Sequence, residues 1–174
     1  MIDIKELLFD AGGRITLSEK PGISYIDLYD DSYAISCKEP IEFNVYNDDF
    51  IKLVITATGL VTVQLYCDRC LEEVKHDFNI DYRQEVRFES EGVLNQSDLQ
   101  MVEYINDSIL DTDKLITNEL IVKWPTKILC KQDCKGICIK CGANLNIREC
   151  GCDRTTADPR MAVIQDIFKQ SKEV

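Results

Sequence analysis

The sequence predicts an α+β protein: a β-rich body, read as an antiparallel sheet or partial barrel, with two short helices and zinc-stapled four-cysteine elements. Three observations predict it. Residues 1–88 carry period-two hydrophobic alternation and β-branched runs. Helix-capping signals begin only near residue 111. Six of the nine cysteines, Cys130, Cys134, Cys138, Cys141, Cys150 and Cys152, fall within 23 residues near the C-terminus.

Along the chain, Ile41-Glu42-Phe43-Asn44-Val45 alternates apolar and polar residues. Two β-rich runs follow, 51–57 and 60–66, and Thr58-Gly59 between them reads as a tight hairpin turn. The second run enters Cys67-Asp68-Arg69-Cys70. A run from Val74 to Ile80, with Phe78 and Ile80 on one face, and another from Tyr82 to Phe88 come next, so this cysteine pair is expected in a turn between strands. Residues 89–113 hold seven acids and no base, and read as an acidic loop or insertion with a short strand near Met101–Ile105. Asp111 or Asp113 caps a helix over about 113–123, with Leu115, Ile116, Leu120 and Val122 as its apolar side and Pro125 as its stop. Asp158-Pro159 opens a last helix with an apolar stripe of Met161, Ile164, Ile167 and Phe168, and Lys169 and Lys172 in its final turn. The expected organisation is a β-rich body (1–88), the acidic insertion (89–112), and a helix, cysteine-rich segment and last helix (113–174) forming one structural unit.

The bulk properties exclude several classes. A chain of 174 residues with 45% hydrophobic content has room for one good core, or for one core plus a metal-stapled appendage. No run approaches a membrane span, and the N-terminus MIDIKELLFDAGG lacks a signal-peptide h-region, which predicts a cytoplasmic protein with reduced thiols. The net charge of −11 divides unevenly. Residues 1–122 hold 10 Lys and Arg against 25 Asp and Glu, and residues 123–174 hold 10 against 6. The acidic body repels nucleic acid. The basic C-terminal part either contacts RNA, with Lys131, Lys135, Lys140 and Arg148 as the candidate residues, or merely neutralises thiolates.

Dense cysteines in a reducing compartment indicate metal. Cys138 and Cys141 have knuckle spacing. Gly142 lets the chain fold back so that amides point at sulfur, and Gly151 lets Cys150 and Cys152 face one metal. These four form a thiolate zinc site. Cys67, Cys70, Cys130 and Cys134 are four remaining clustered thiols. They make a second site only if the C-terminal segment meets the Cys67 turn, and the rival reading is a redox-active CxxC. That use wants a helix N-terminus, whereas here strands flank the pair. Cys37 reads as a buried apolar residue in a strand, and His76 belongs to no catalytic constellation. Glu72-Glu73 and Asp48-Asp49 read as surface pairs at turns. Walker and GxGxxG motifs are absent from the sequence.

The sequence CDRCLEEV, the acidic insertion, the apolar helix running into Trp124-Pro125, and LCKQDCKGICIKCGANLNIRECGCD followed by DPR resemble the YceD-like family, the large ribosomal RNA subunit accumulation proteins. The likeness covers nearly the whole chain. It implies a non-enzymatic factor for large ribosomal subunit assembly, binding ribosomal RNA, a ribosomal protein or both, without a small-molecule substrate or membrane. Family members that lack the final knuckle keep CxRC together with a histidine or cysteine near the position of Cys130 and a cysteine near that of Cys134. The resemblance thereby implies that Cys67, Cys70, Cys130 and Cys134 share a second zinc, giving two Zn²⁺ per chain. The competing classes are a zinc-ribbon nucleic-acid-binding regulator and a thiol- or metal-dependent enzyme. An enzyme would need an open zinc position or a free low-pKa thiol, and two closed four-cysteine sites leave neither.

Overall fold

The computed structural model describes residues 1–28 and 30–153, with the side chains of Cys37 and Lys38 excepted. The expected last helix from Asp158 and the burial of Cys37 lie outside the described residues. The chain divides into two compact units, one of residues 1–66 and 73–128, the other of Cys67–Glu72 and the residues from Leu129 onward.

The first unit is built on antiparallel strands: β1 (Ile2–Asp3), β2 (Arg14–Glu19), β3 (Tyr25–Leu28), β4 (Asp31–Lys38), β5 (Ile41–Asp48), β6 (Lys52–Tyr66), β7 (Glu73–Ser90), β8 (Val93–Leu94), β9 (Ile105–Asn106) and β10 (Ile109–Leu110). The large sheet runs β2-β5-β6-β4-β3, with β7 also paired to β6 and β8 to β7. A small sheet runs β1-β10-β9. β5 alternates as its sequence predicts, with Ile41, Phe43 and Val45 wholly buried. Its turn into β6 places Asp49 and Phe50 at positive φ, and the buried Asn47 side chain accepts the Phe50 N–H at 2.9 Å.

Thr58-Gly59 is not a turn. The runs 51–57 and 60–66 form one 15-residue strand, and β7 pairs with it from Lys52 to Tyr66. The other edge of β6 is shared in succession: β5 takes residues 52–58, and β4 takes 61–63. Gly59 lies where the partner strand changes. A Cβ there would stand 2.9 Å from Ile41 Cγ1 and 3.2 Å from Ile41 Cα. The glycine marks a close approach inside a strand, not a chain reversal. Val74–Ile80 and Tyr82–Phe88 likewise belong to the single 18-residue β7, with Phe78 and Ile80 buried.

The acidic stretch is ordered structure. It contains β8, a short helix α1 (Gln96–Gln100), β9 and β10, and buries Leu94, Val102 and Tyr104. Arg87 on β7 holds it: its guanidinium meets the Asp98 carboxylate at 2.8 and 2.9 Å. An acidic segment needs no base of its own when the preceding strand supplies one. Helix α2 (Thr112–Val122) is capped by Asp111, whose side chain accepts the Lys114 N–H. Leu115, Ile116 and Leu120 enter the core. Val122 was expected with them but is 81% exposed, and Glu119 is buried instead, its carboxylate held by Lys123 at 2.6 Å. Trp124 packs between Tyr33 and Phe78, at centroid distances of 4.9 and 5.6 Å.

Candidate metal centres

The second unit holds the clustered cysteines. The Cys67–Glu72 segment links β6 to β7, so the expected turn between strands is present. Cys67 N–H donates to Glu72 O at 2.8 Å, and Leu71 N–H returns to Cys67 O at 2.9 Å. Downstream, Cys138 N–H donates to Ala143 O at 2.8 Å, and Gly142 N–H returns to Cys138 O at 2.8 Å. Both segments fold the same way. In each, the amides two and three residues on, Arg69 and Cys70 or Lys140 and Cys141, point at the first sulfur.

That fold needs a left-handed backbone at the residue after the second cysteine. Gly142 supplies it at φ +71, as its residue type predicts. In the upstream segment the same place is taken by Leu71 at φ +62, a conformation costing a leucine about 1–2 kcal/mol. Sequence reasoning missed this, because the leucine gives no outward sign of the turn it occupies.

The structure gathers the eight sulfurs into two sets, Cys67, Cys70, Cys130 and Cys134, and Cys138, Cys141, Cys150 and Cys152. Within each set the ligand atoms all lie within 4.8 Å of one another. Cys67 Sγ stands 3.8 Å from Cys134 Sγ, and Cys70 Sγ 3.5 Å from Cys130 Sγ. A tetrahedral zinc with bonds of about 2.3 Å sets its sulfurs about 3.8 Å apart, so the residues fit such an ion. All-thiolate tetrahedra select zinc or iron.

Electrostatics prepare both sets for a cation. Burial pushes the Cys67 thiol up, but the amides of Cys130, Arg69 and Cys70 carry it down to about 6. The Lys140 and Cys141 amides hold Cys138 at about 6. Cys70 is pulled down by the Glu72 amide, yet burial and the neighbouring sulfurs of Cys67, Cys130 and Cys134 push it up to about 12. Cys141 and Cys150 push Cys152 up to about 12. In each set some thiols ionise readily and others resist, because neighbouring thiolates lack a counter-charge. A divalent cation supplies that charge and releases the remaining protons.

A further layer of residues supports the sulfurs. The Asn146 amide donates to Cys134 Sγ at 3.3 Å, and its carbonyl accepts the Lys135 N–H at 2.9 Å. The Arg69 guanidinium donates to Cys134 O at 2.8 Å, and the Arg69 carbonyl accepts the Ile137 N–H at 3.0 Å. A Cβ at Gly136, φ +76, would stand 3.0 Å from that carbonyl. Glu72, expected as a surface acid, accepts the Asn144 amide at 2.9 Å. The asparagines of Gly-Ala-Asn-Leu-Asn were the available signal, since asparagine side chains capture turn amides.

Lys131, Lys135, Lys140 and Arg148 are all exposed. In the first unit, His76 is half-buried with its ring edge-on to Phe78 at 4.8 Å, outside either set. No helix among the described residues is long and apolar enough to cross a membrane.

Comparison with known proteins places the chain in context. A family model described as Large ribosomal RNA subunit accumulation protein YceD matches residues 55–168. The Large ribosomal RNA subunit accumulation protein YCED homolog 1, chloroplastic, of Arabidopsis thaliana is 33% identical over 64 residues, which span 37% of this chain and 20% of the relative. An uncharacterized protein of Mycobacterium leprae is 25% identical over 171 residues, covering 97% of this chain and 77% of its own length. No solved structure matches the chain.

Proposed function

The chain belongs to the YceD family of large ribosomal RNA subunit accumulation proteins, and from this membership and the thiol geometry we propose that it is a non-enzymatic assembly factor of the large ribosomal subunit. It acts in the cytoplasm, where it supports accumulation or maturation of large-subunit RNA by binding a component of the particle. The carrying observation is the pair of four-sulfur sets. Four thiolates fill a tetrahedral zinc, leaving no place for a water nucleophile, and such sites stabilise small folds. Cys67, Cys70, Cys130 and Cys134 would hold one ion, and Cys138, Cys141, Cys150 and Cys152 the other. This favours a scaffold over the thiol- or metal-enzyme reading.

Charge favours a ribosomal protein as the bound component. Each filled site adds a formal −2, so two zincs take the net charge from −11 to −15. Such a protein repels polyanions at long range and attracts lysine- and arginine-rich chains. The exposed Lys131, Lys135, Lys140 and Arg148 support a second reading, direct contact with ribosomal RNA, for which a zinc-ribbon regulator is the less favoured relative.

Affinity purification of the tagged chain at native salt tests the proposal. Co-purification of large-subunit RNA or proteins is the expected result. Recovery of neither would sink it.

A further inference from the structure

We propose that Leu71, Ile139 and Ile147 form an aliphatic docking surface on the metal-carrying unit for the apolar side chains of a basic large-subunit protein. The inference rests on the assembly reading above and names its partner class. These side chains are 63%, 87% and 75% exposed. Ile139 stands between two cysteines of one knuckle, and Leu71 follows the second cysteine of the other. Hydrogen bonds link the short segments that carry them. Ile137 N–H donates to Arg69 O, Ile137 pairs with Asn144, the Asn144 side chain reaches Glu72, and the Asn144 carbonyl accepts the Ile147 N–H at 3.2 Å.

Leu71 is the most informative of the three. Its backbone adopts the left-handed form that glycine supplies at Gly142 in the other knuckle. A leucine there strains the turn, and its side chain is 63% exposed, so the fold gains little from it. Strain kept at an exposed position beside a rigid site points to a contact outside the chain.

The partner's chemistry follows from side chains and charge. The three residues are aliphatic, and platforms for unstacked bases are built mainly from aromatic rings. In the described part of this unit, Arg69, Lys131, Lys135, Lys140 and Arg148 are matched one for one by Asp68, Glu72, Asp133, Glu149 and Asp153. Filling both sites therefore leaves this described part of the unit anionic. RNA is not drawn to such a surface, whereas a cationic polypeptide is.

Site-specific photocrosslinking of the full zinc-loaded chain tests this. Benzoylphenylalanine is placed at Ile139 or Ile147, with Thr16 on β2 as control position. Each protein is incubated separately with proteins extracted from large ribosomal subunits and with deproteinised large-subunit RNA. The expected result is an adduct with the same basic ribosomal protein from both positions and not from Thr16. Leu71→Gly should lower its yield at least tenfold while zinc content and the thermal midpoint hold or rise, since glycine relieves the turn. Ile139→Asn should weaken crosslinking from position 147. Adducts with RNA, with a second copy or only within the chain would overturn the proposal, as would unchanged yield in Leu71→Gly. Crosslinking to ribosomal material from Thr16 alone would move the surface elsewhere and leave the assembly reading standing. Binding to neither probe would defeat both.

Discussion

The Asn144 side chain donates to the Glu72 carboxylate at 2.9 Å across 72 positions of sequence, and so ties the two knuckle segments of the metal-carrying unit to each other. The same asparagine accepts the Asn146 amides through its Oδ1, at 2.9 Å from the backbone and 3.0 Å from the side chain, and Asn146 in turn reaches Cys134 Sγ. Glu72→Ala should cost about 1 kcal/mol. Zinc content at rest should not change, but a chelator should extract metal faster and amides of residues 67–72 should exchange faster. Unaltered exchange would show the bond to be incidental.

Two zinc ions per chain are expected, because each set of sulfurs matches one tetrahedral ion. Native mass spectrometry with elemental analysis measures the count and separates zinc from iron. Cys138→Ser should remove one ion and leave the other. Metal-free protein from a chelator-free preparation would refute both sites.

Gly59→Val should destabilise the first unit by about 1–3 kcal/mol, because the new side chain must displace the buried Ile41. Thermal unfolding reads the loss, and zinc content should stay constant. A variant as stable as the parent would mean that the strand exchange along β6 tolerates a side chain.

The acidic segment should loosen in acid. The Arg87 side chain and amide hold the Asp98 carboxyl at about 2, below its ordinary 3.8. A depressed folded-state pKa gives stabilisation that is complete above the ordinary value and fades as pH falls through the folded one. Protection of amides in residues 93–106, measured against their intrinsic exchange rates, should therefore fall between about pH 4 and pH 2. Asp98→Asn should show the lower protection already at neutral pH and lose that dependence.

Neutralising Lys131, Lys135, Lys140 and Arg148 together discriminates the RNA reading. If these side chains touch phosphates, affinity for large-subunit RNA should fall and its salt dependence flatten. If they only balance thiolates, metal retention should fall while RNA affinity stays at the level of random RNA. Filter binding across a salt series, with zinc analysis alongside, separates the outcomes.

Local patterns were the readable part of this chain. β5 alternates because its two faces meet different surroundings, and α2 starts where Asp111 can take an amide three residues on. The knuckle at Cys138 is visible because Gly142 sits where the turn needs it. Gly59 misled because a glycine between two β-branched runs signals a turn equally well, and only the approach of Ile41 reveals the alternative. The acidic stretch misled because its partner, Arg87, belongs to the preceding strand.

By itself the sequence determined the β-rich character, the helix at α2 and the spacing of each cysteine pair, all set by contacts within a few residues. Only the tertiary structure decided that Cys70 meets Cys130 at 3.5 Å and that Glu72 serves Asn144. Those outcomes depend on where the chain returns after some sixty residues or more. Residue type encodes local geometry directly, but it encodes such meetings only through the packing of the whole.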